Sequence, residues 1–194
     1  MPDRTNVKSE LAQDGSSTKP QNPVDVIAAA HHVHAQICDQ LEAIADGLPD
    51  EVNSRLAANA AASLRYELPL HHLDEEQGLF PLLEKRAKPR DNITEILQPL
   101  VREHASDEGF AEELAEVLCE IGRGERVENP NMVGYMLRGF FENYRRHLCW
   151  ENTLVLPLAR SRLTPDDLAA LNEIFRRNRA DFAAFHRARS STQL

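Results

Sequence analysis

His71-His72-Leu73-Asp74-Glu75-Glu76-Gln77-Gly78-Leu79-Phe80-Pro81 decides the reading of this chain, because its frame returns seventy-six residues later as His147-Leu148-Cys149-Trp150-Glu151-Asn152-Thr153-Leu154-Val155-Leu156-Pro157. Both copies read His-x3-Glu-x5-Pro. On a helix, a spacing of four stacks imidazole and carboxylate on one face, close enough to hold one ion or two adjacent ions. One such pair is an ordinary solvated neighbour, whereas two in matching context point to a metal site. His72 and Glu76 form another pair in a register turned by one residue. The repeat separates them: Pro81 lies ten residues after His71 as Pro157 lies ten after His147, so His71 and Glu75 match His147 and Glu151.

Outward from these motifs, apolar residues recur at spacings of three and four. A helix from Pro23 to about Gly47 carries Ile27, His31, His34, Cys38, Leu41 and Ala45 inward, with His32 about a hundred degrees away. A helical region from about Asp50 to Arg86 is expected to kink or restart at Pro69. Its stripe runs Leu64, Leu68, His71, Glu75, Gly78, Leu82. A third helix, from about Asn92 to Ile121, places His104 and either Asp107 or Glu108 among Leu97, Leu100, Ala111 and Leu114. The fourth opens at Asn129-Pro130, and its stripe is Val133, Leu137, Phe140, Tyr144, His147, Glu151, Leu154, Leu158. Thr164-Pro165-Asp166-Asp167 caps a fifth helix that bears Leu168, Leu171, Phe175, Phe182 and Phe185.

These stripes predict an all-α fold, an up-down-up-down four-helix bundle over residues 23–160. Residues 161–194 add a C-terminal helix and tail packed on the bundle, and the polar, aperiodic residues 1–22 read as a disordered N-terminal arm. Antiparallel packing brings His31, His71 with Glu75, His104, and His147 with Glu151 to one level of the core. Four imidazoles and two carboxylates suit a pair of transition metals, with the carboxylates able to bridge. Iron is the first expectation; manganese and zinc are the alternatives.

Composition narrows the function classes. A formal charge of -9 over 194 residues, with no basic block, lacks the footprint of a nucleic-acid or anionic-membrane binder. No apolar run reaches bilayer length and no signal-peptide layout opens the chain, so the expected location is cytoplasmic. Cys38, Cys119 and Cys149 are odd in number and far apart, as expected of reduced thiols.

The set of motifs resembles the haemerythrin-like proteins, specifically the bacterial domains with a His-His-Glu signature. The residues that carry the likeness are the His31 helix, the run from His71 to Pro81, Glu103-His104, and Tyr144-x-x-His147-x-x-x-Glu151. The resemblance covers about residues 24–160. It implies a non-haem di-iron centre, bridged by oxo or hydroxo oxygen and by carboxylates, that binds or senses oxygen or nitric oxide. An alternative implication is an enzyme of oxidative or nitrosative stress defence, acting on peroxide or donating iron to damaged iron-sulphur centres. Two departures qualify it. The oxygen carriers show His-x3-His on the third helix, where this chain has Glu108, and the iron-sulphur-repair relatives carry an N-terminal cysteine that this arm lacks.

The expected metal ligands are therefore His31, His71, Glu75, His104, His147 and Glu151, with Glu108 as a seventh. His34, His72 and Tyr144 are expected beside the site, as partners of the ligands. Two readings of Gly78 stand: a gap that admits a small ligand, or a close approach of two helices.

Overall fold

The computed structural model describes residues 22–192. Seven α-helices run through them: α1 Pro23–Gly47, α2 Ser54–Asp74, α3 Phe80–Arg86, α4 Ile93–Gly122, α5 Pro130–Trp150, α6 Leu156–Arg162 and α7 Pro165–Thr192. One turn of π-helix, Glu75–Leu79, joins α2 to α3, and a second, Glu151–Val155, joins α5 to α6. The two joined rods and α1 and α4 are the four staves of the bundle. The residues assigned to the N-terminal arm lie, apart from Asn22, outside the described residues.

Helix starts follow the side chains that can satisfy free backbone donors. Asn22 accepts from the N–H of Val24, Asn53 from Leu56 and Asn129 from Met132. At α7, Thr164 and Asp167 cap each other, with the Thr164 N–H donating to Asp167 Oδ2 at 2.9 Å.

Around the bundle, α1 packs on α2 and α5, and α4 packs on the same two helices. The copies of the motif, on α2 and α5, thus face each other across the diagonal. The core they enclose is divided. One apolar cluster holds Leu41, Leu64, Leu114, Leu118 and Leu137, and a second holds Ile27, Leu79, Leu83, Leu100 and Val155. Every stave crosses from one cluster to the other through its histidines. The polar groups form a layer sealed at both ends by hydrocarbon.

Three expectations are corrected here. α2 runs unbroken through Pro69, and the interruption falls at the π-turn that follows Asp74. Beyond each π-turn the inward face advances by one residue, to Leu79, Phe80 and Leu83 in one rod and to Val155, Leu156 and Ala159 in the other. Leu82, Leu154 and Leu158 are only partly buried. The cause is the extra residue in the wide turn, which rotates everything after it by about 100°. Finally, Phe185 is 56% exposed, so the buried stripe of α7 stops short of it.

α7 lies against α2, the first π-turn and α1. Its hold is specific. Asn178 donates to Asp74 Oδ1 at 3.0 Å and Arg179 to Asp74 Oδ2 at 2.8 Å, satisfying a buried carboxylate one residue before Glu75. No helix among the described residues is long and apolar enough to cross a membrane.

Candidate metal centre

Glu75 and Glu151 are fully buried and reach the middle of the layer from opposite corners. Each spans between histidines of different helices. Glu75 Oε1 lies 3.5 Å from His31 Nε2, and its Oε2 lies 3.5 Å from both His71 Nε2 and His104 Nε2. Glu151 Oε2 lies 3.2 Å from His31 Nε2, and its Oε1 lies 3.2 Å from His147 Nε2 and 3.8 Å from His104 Nε2. A carboxylate whose two oxygens serve different sets of imidazoles is placed to bridge two ions.

Two groups of donor atoms result, each with all its atoms within 4.8 Å of one another: His31, His71, Glu75 and Glu151 in one, and His72, His104 and His147 in the other. The six residues that the repeat and the stripes single out are thus brought together. His72 joins them, although it was expected only beside the site. Its ring stacks on His104 with centroids 3.9 Å apart and an 8° tilt.

Whether a metal fits is decided by the buried polar atoms. His31, His71 and His72 each leave Nε2 without a hydrogen bond, and so do both oxygens of Glu75 and of Glu151. These seven atoms come from five residues of the two groups, four of the first and His72 of the second. A buried polar atom without a partner costs about 1–3 kcal/mol, more when charged, and natural proteins hold only a few, so a cluster of them in one layer calls for an ion. His104 and His147 face the same layer. Each turns Nδ1 to a carboxylate, and their Nε2 atoms stand 3.2 Å apart. In the neutral rings, with the protons on Nδ1, two lone pairs would face each other, an arrangement that a cation between or beside them relieves. The donor set of imidazole nitrogen and carboxylate oxygen suits iron, manganese or zinc.

The atoms behind the imidazoles orient them. His31 Nδ1 donates to Asn152 Oδ1 at 2.9 Å, His72 Nδ1 to Glu108 Oε1 at 3.0 Å, His104 Nδ1 to Glu76 Oε1 at 2.8 Å and His147 Nδ1 to Glu103 Oε2 at 2.9 Å. Such contacts fix the tautomer that leaves Nε2 free for a metal. Glu76, Glu103 and Asn152 are sequence neighbours of Glu75, His104 and Glu151. That adjacency is the signal sequence reasoning could have used, because a residue one step round a helix from a ligand points at the neighbouring helix.

Charge divides the histidines. Burial lowers the pKa of His31, but Glu151 and Glu75 outweigh it and raise it to about 10. For His147 the same contest, won by Glu151 and Glu103, gives about 9. Burial, helped by the charge on His31, holds His34 down at about 4. Burial also holds His71 and His72 well below the usual range. Glu75 rises to about 7 through burial and the neighbouring Glu151, whereas the pull of His104, His147 and His31 overcomes burial at Glu151 and keeps it well below.

Other expected residues fall elsewhere. Glu108 is exposed and accepts from His72, outside both donor groups. The third long helix therefore offers His104 alone, and the extra donor comes from His72 on α2. His34 Nδ1 meets the Tyr144 hydroxyl at 2.8 Å, and its ring stands edge-on to His71, so both residues brace the site from behind. Gly78 faces α7: a Cβ there would come within 2.7 Å of Leu171 Cδ1 and 3.3 Å of Ile174 Cγ2. Its bareness serves close packing, and the reading as a ligand gap is withdrawn. Trp150 is 45% exposed and lines a surface hollow with Pro99, Leu100 and His147.

Comparison with known proteins agrees with this geometry. The family model described as the hemerythrin HHE cation-binding domain matches residues 22–159. An uncharacterized protein of Haemophilus influenzae is 24% identical over 156 residues, covering 78% of this chain and 86% of that protein.

Proposed function

The chain belongs to the hemerythrin HHE cation-binding family, and from that premise we propose that it holds two iron ions in the polar layer and binds a small diatomic ligand, oxygen or nitric oxide. The observation that supports two ions is the pair of donor groups, with the unpartnered oxygens of Glu75 and Glu151 turned toward histidines of both. His31 and His71 would hold one ion, His72, His104 and His147 the other, with Glu75 and Glu151 shared. Bound there, a pair of irons supplies redox chemistry toward a diatomic molecule.

The chain's own part is to hold and to shield. Nδ1 contacts lock the imidazoles, the two apolar clusters close the layer at both ends, and the phenol of Tyr144 holds the His34 ring against His71. A cleft of about 260 Å³, with Val26, Val33 and Leu70 on its walls, leads to His34 and His71. Glu67, Asp74 and Arg179 also line it, and its larger, apolar part accommodates an uncharged diatomic molecule.

The test is anaerobic loading of the purified chain with ferrous iron, followed by metal analysis and optical spectra under nitric oxide and under oxygen. Two irons per chain and a spectral change that reverses when the gas is removed are the expected results. A loaded chain whose spectrum ignores both gases would overturn the ligand-binding reading, and repeated consumption of the gas would replace it with a catalytic one.

A further inference from the structure

The supports of the imidazoles differ on the two sides of the layer. His72, His104 and His147 each donate Nδ1–H to a carboxylate, those of Glu108, Glu76 and Glu103. His31 donates to a neutral amide, that of Asn152, and His34, behind His71, pairs with the Tyr144 hydroxyl.

The internal repeat makes this difference a property of side chains and not of the fold. Asn152 follows Glu151 as Glu76 follows Glu75, and each accepts from the histidine of a neighbouring helix, His31 or His104. Ala30 precedes His31 as Glu103 precedes His104. At two corresponding places the chain therefore has an anion on one side and a neutral residue on the other.

An imidazole whose N–H is shared with a carboxylate is the more basic at its other nitrogen, and it binds a cation more strongly. The shared ligands do not offset this, since Glu75 and Glu151 turn oxygens to both sides. The side chains of Glu76, Glu103 and Glu108 are 39%, 44% and 44% exposed, so water screens their long-range field. Their influence runs through the hydrogen bonds.

Building on the two-ion reading above, we infer that the two metal positions are unequal, and that the one faced by His72, His104 and His147 fills first and holds its ion more tightly. Metal uptake is stepwise, and Glu76, Glu103 and Glu108 are the positioning residues that set the order.

The experiment is a cobalt(II) titration of the full chain after chelator treatment and dialysis, followed by visible ligand-field bands and by heat. Two equivalents should bind in two steps separated by about tenfold or more in affinity, the scale of such outer contacts. Glu103→Gln and Glu108→Gln should each weaken the tighter step by about 10- to 100-fold and leave the other within a few-fold. Asn152→Asp, which gives His31 the support that His104 has, should strengthen the weaker step and narrow the gap. That gain cannot come from structural damage. Two equal steps in the parent, a loss that falls on the weaker step, or an Asn152→Asp variant that leaves the gap unchanged would each overturn the inference. Saturation at one equivalent would instead overturn the two-ion reading beneath it.

Discussion

The backbone N–H of Phe80 reaches the carbonyl of Glu75, five residues back instead of four, and Leu156 does the same to Glu151. Both wide turns begin at a buried carboxylate and end just before a proline. In a regular helix Pro81 would offer no donor to Gln77 and would press its ring on that carbonyl, and a widened turn relieves the contact. The proline of each motif therefore shapes the turn that carries the glutamate.

Deleting Gln77 tests this relation. Removing one residue from a π-turn converts it to α-helix without rotating the apolar residues beyond it, because those positions already sit one residue ahead. The variant should keep its helical circular dichroism and a cooperative melt, at a lowered temperature because Pro81 then sits in a regular helix, while losing much of its metal uptake, because Glu75 is displaced. Deleting Glu112 from the middle of α4 should instead rotate half an apolar stripe out of the core and unfold the chain. Similar melts for the two deletions would refute the account.

Much of this centre was legible in sequence. Two matching motifs and four stripes specify the bundle and the six converging residues, because burial at spacings of three and four forces histidine and glutamate to meet at one level. The rest was hidden by the same π-turns. A periodicity of 3.6 carried straight through Glu75 and Glu151 points to Leu82, Leu154 and Leu158, all of which the structure turns partly outward. His72 was obscured because it lies one step off the stripe, a position that reads as solvated until α4 is seen to cover it. Glu108 was misplaced for the complementary reason: it sits one turn beyond His104 along α4, but its carboxylate turns aside to His72.

His72→Leu separates ligation from packing. Leucine fills most of the buried volume, so the chelator-treated variant should melt close to the parent. Adding metal raises the melting temperature by an amount that grows with the logarithm of the affinity for the folded chain. The rise in the variant should be clearly smaller than in the parent. Equal rises would mean that His72 only packs on His104.

Stability of the chelator-treated chain should pass through a maximum near neutrality. Histidines are half-protonated at about pH 6.5 when unfolded. His31 and His147, raised to about 10 and 9, stabilise the folded chain below pH 6.5, and this contribution is lost as pH climbs through those values. Glu75, raised to about 7, acts in the same sense at lower pH. His34, held at about 4, and the lowered His71 and His72 stabilise above pH 6.5 and lose that contribution as pH falls. Metal affinity should rise steadily from pH 6 to 9, because ions must displace the protons on His31 and His147. Melting curves across pH, with and without zinc, check both limbs. A metal-free stability that keeps rising from pH 7 to 10 would contradict the charge assignment.

Gly78 supplies the last prediction. A Cβ at this position would come within 2.7 Å of Leu171 Cδ1, and Leu171 is itself fully buried beside Phe175. Alanine asks one methyl to move, and the flexible end of Leu171 can give way. Valine adds two more carbons against Ile174 and Phe175, and overpacking of that kind costs about 1–3 kcal/mol. Gly78→Val should therefore lower the melting temperature by several degrees and loosen α7, seen as earlier proteolysis within residues 165–192. It should leave the stoichiometry of metal uptake and the rate of nitric oxide binding unchanged, because the glycine faces α7 and not the histidines. A slower binding rate with an unaltered melt would restore the reading of Gly78 as a path for the ligand.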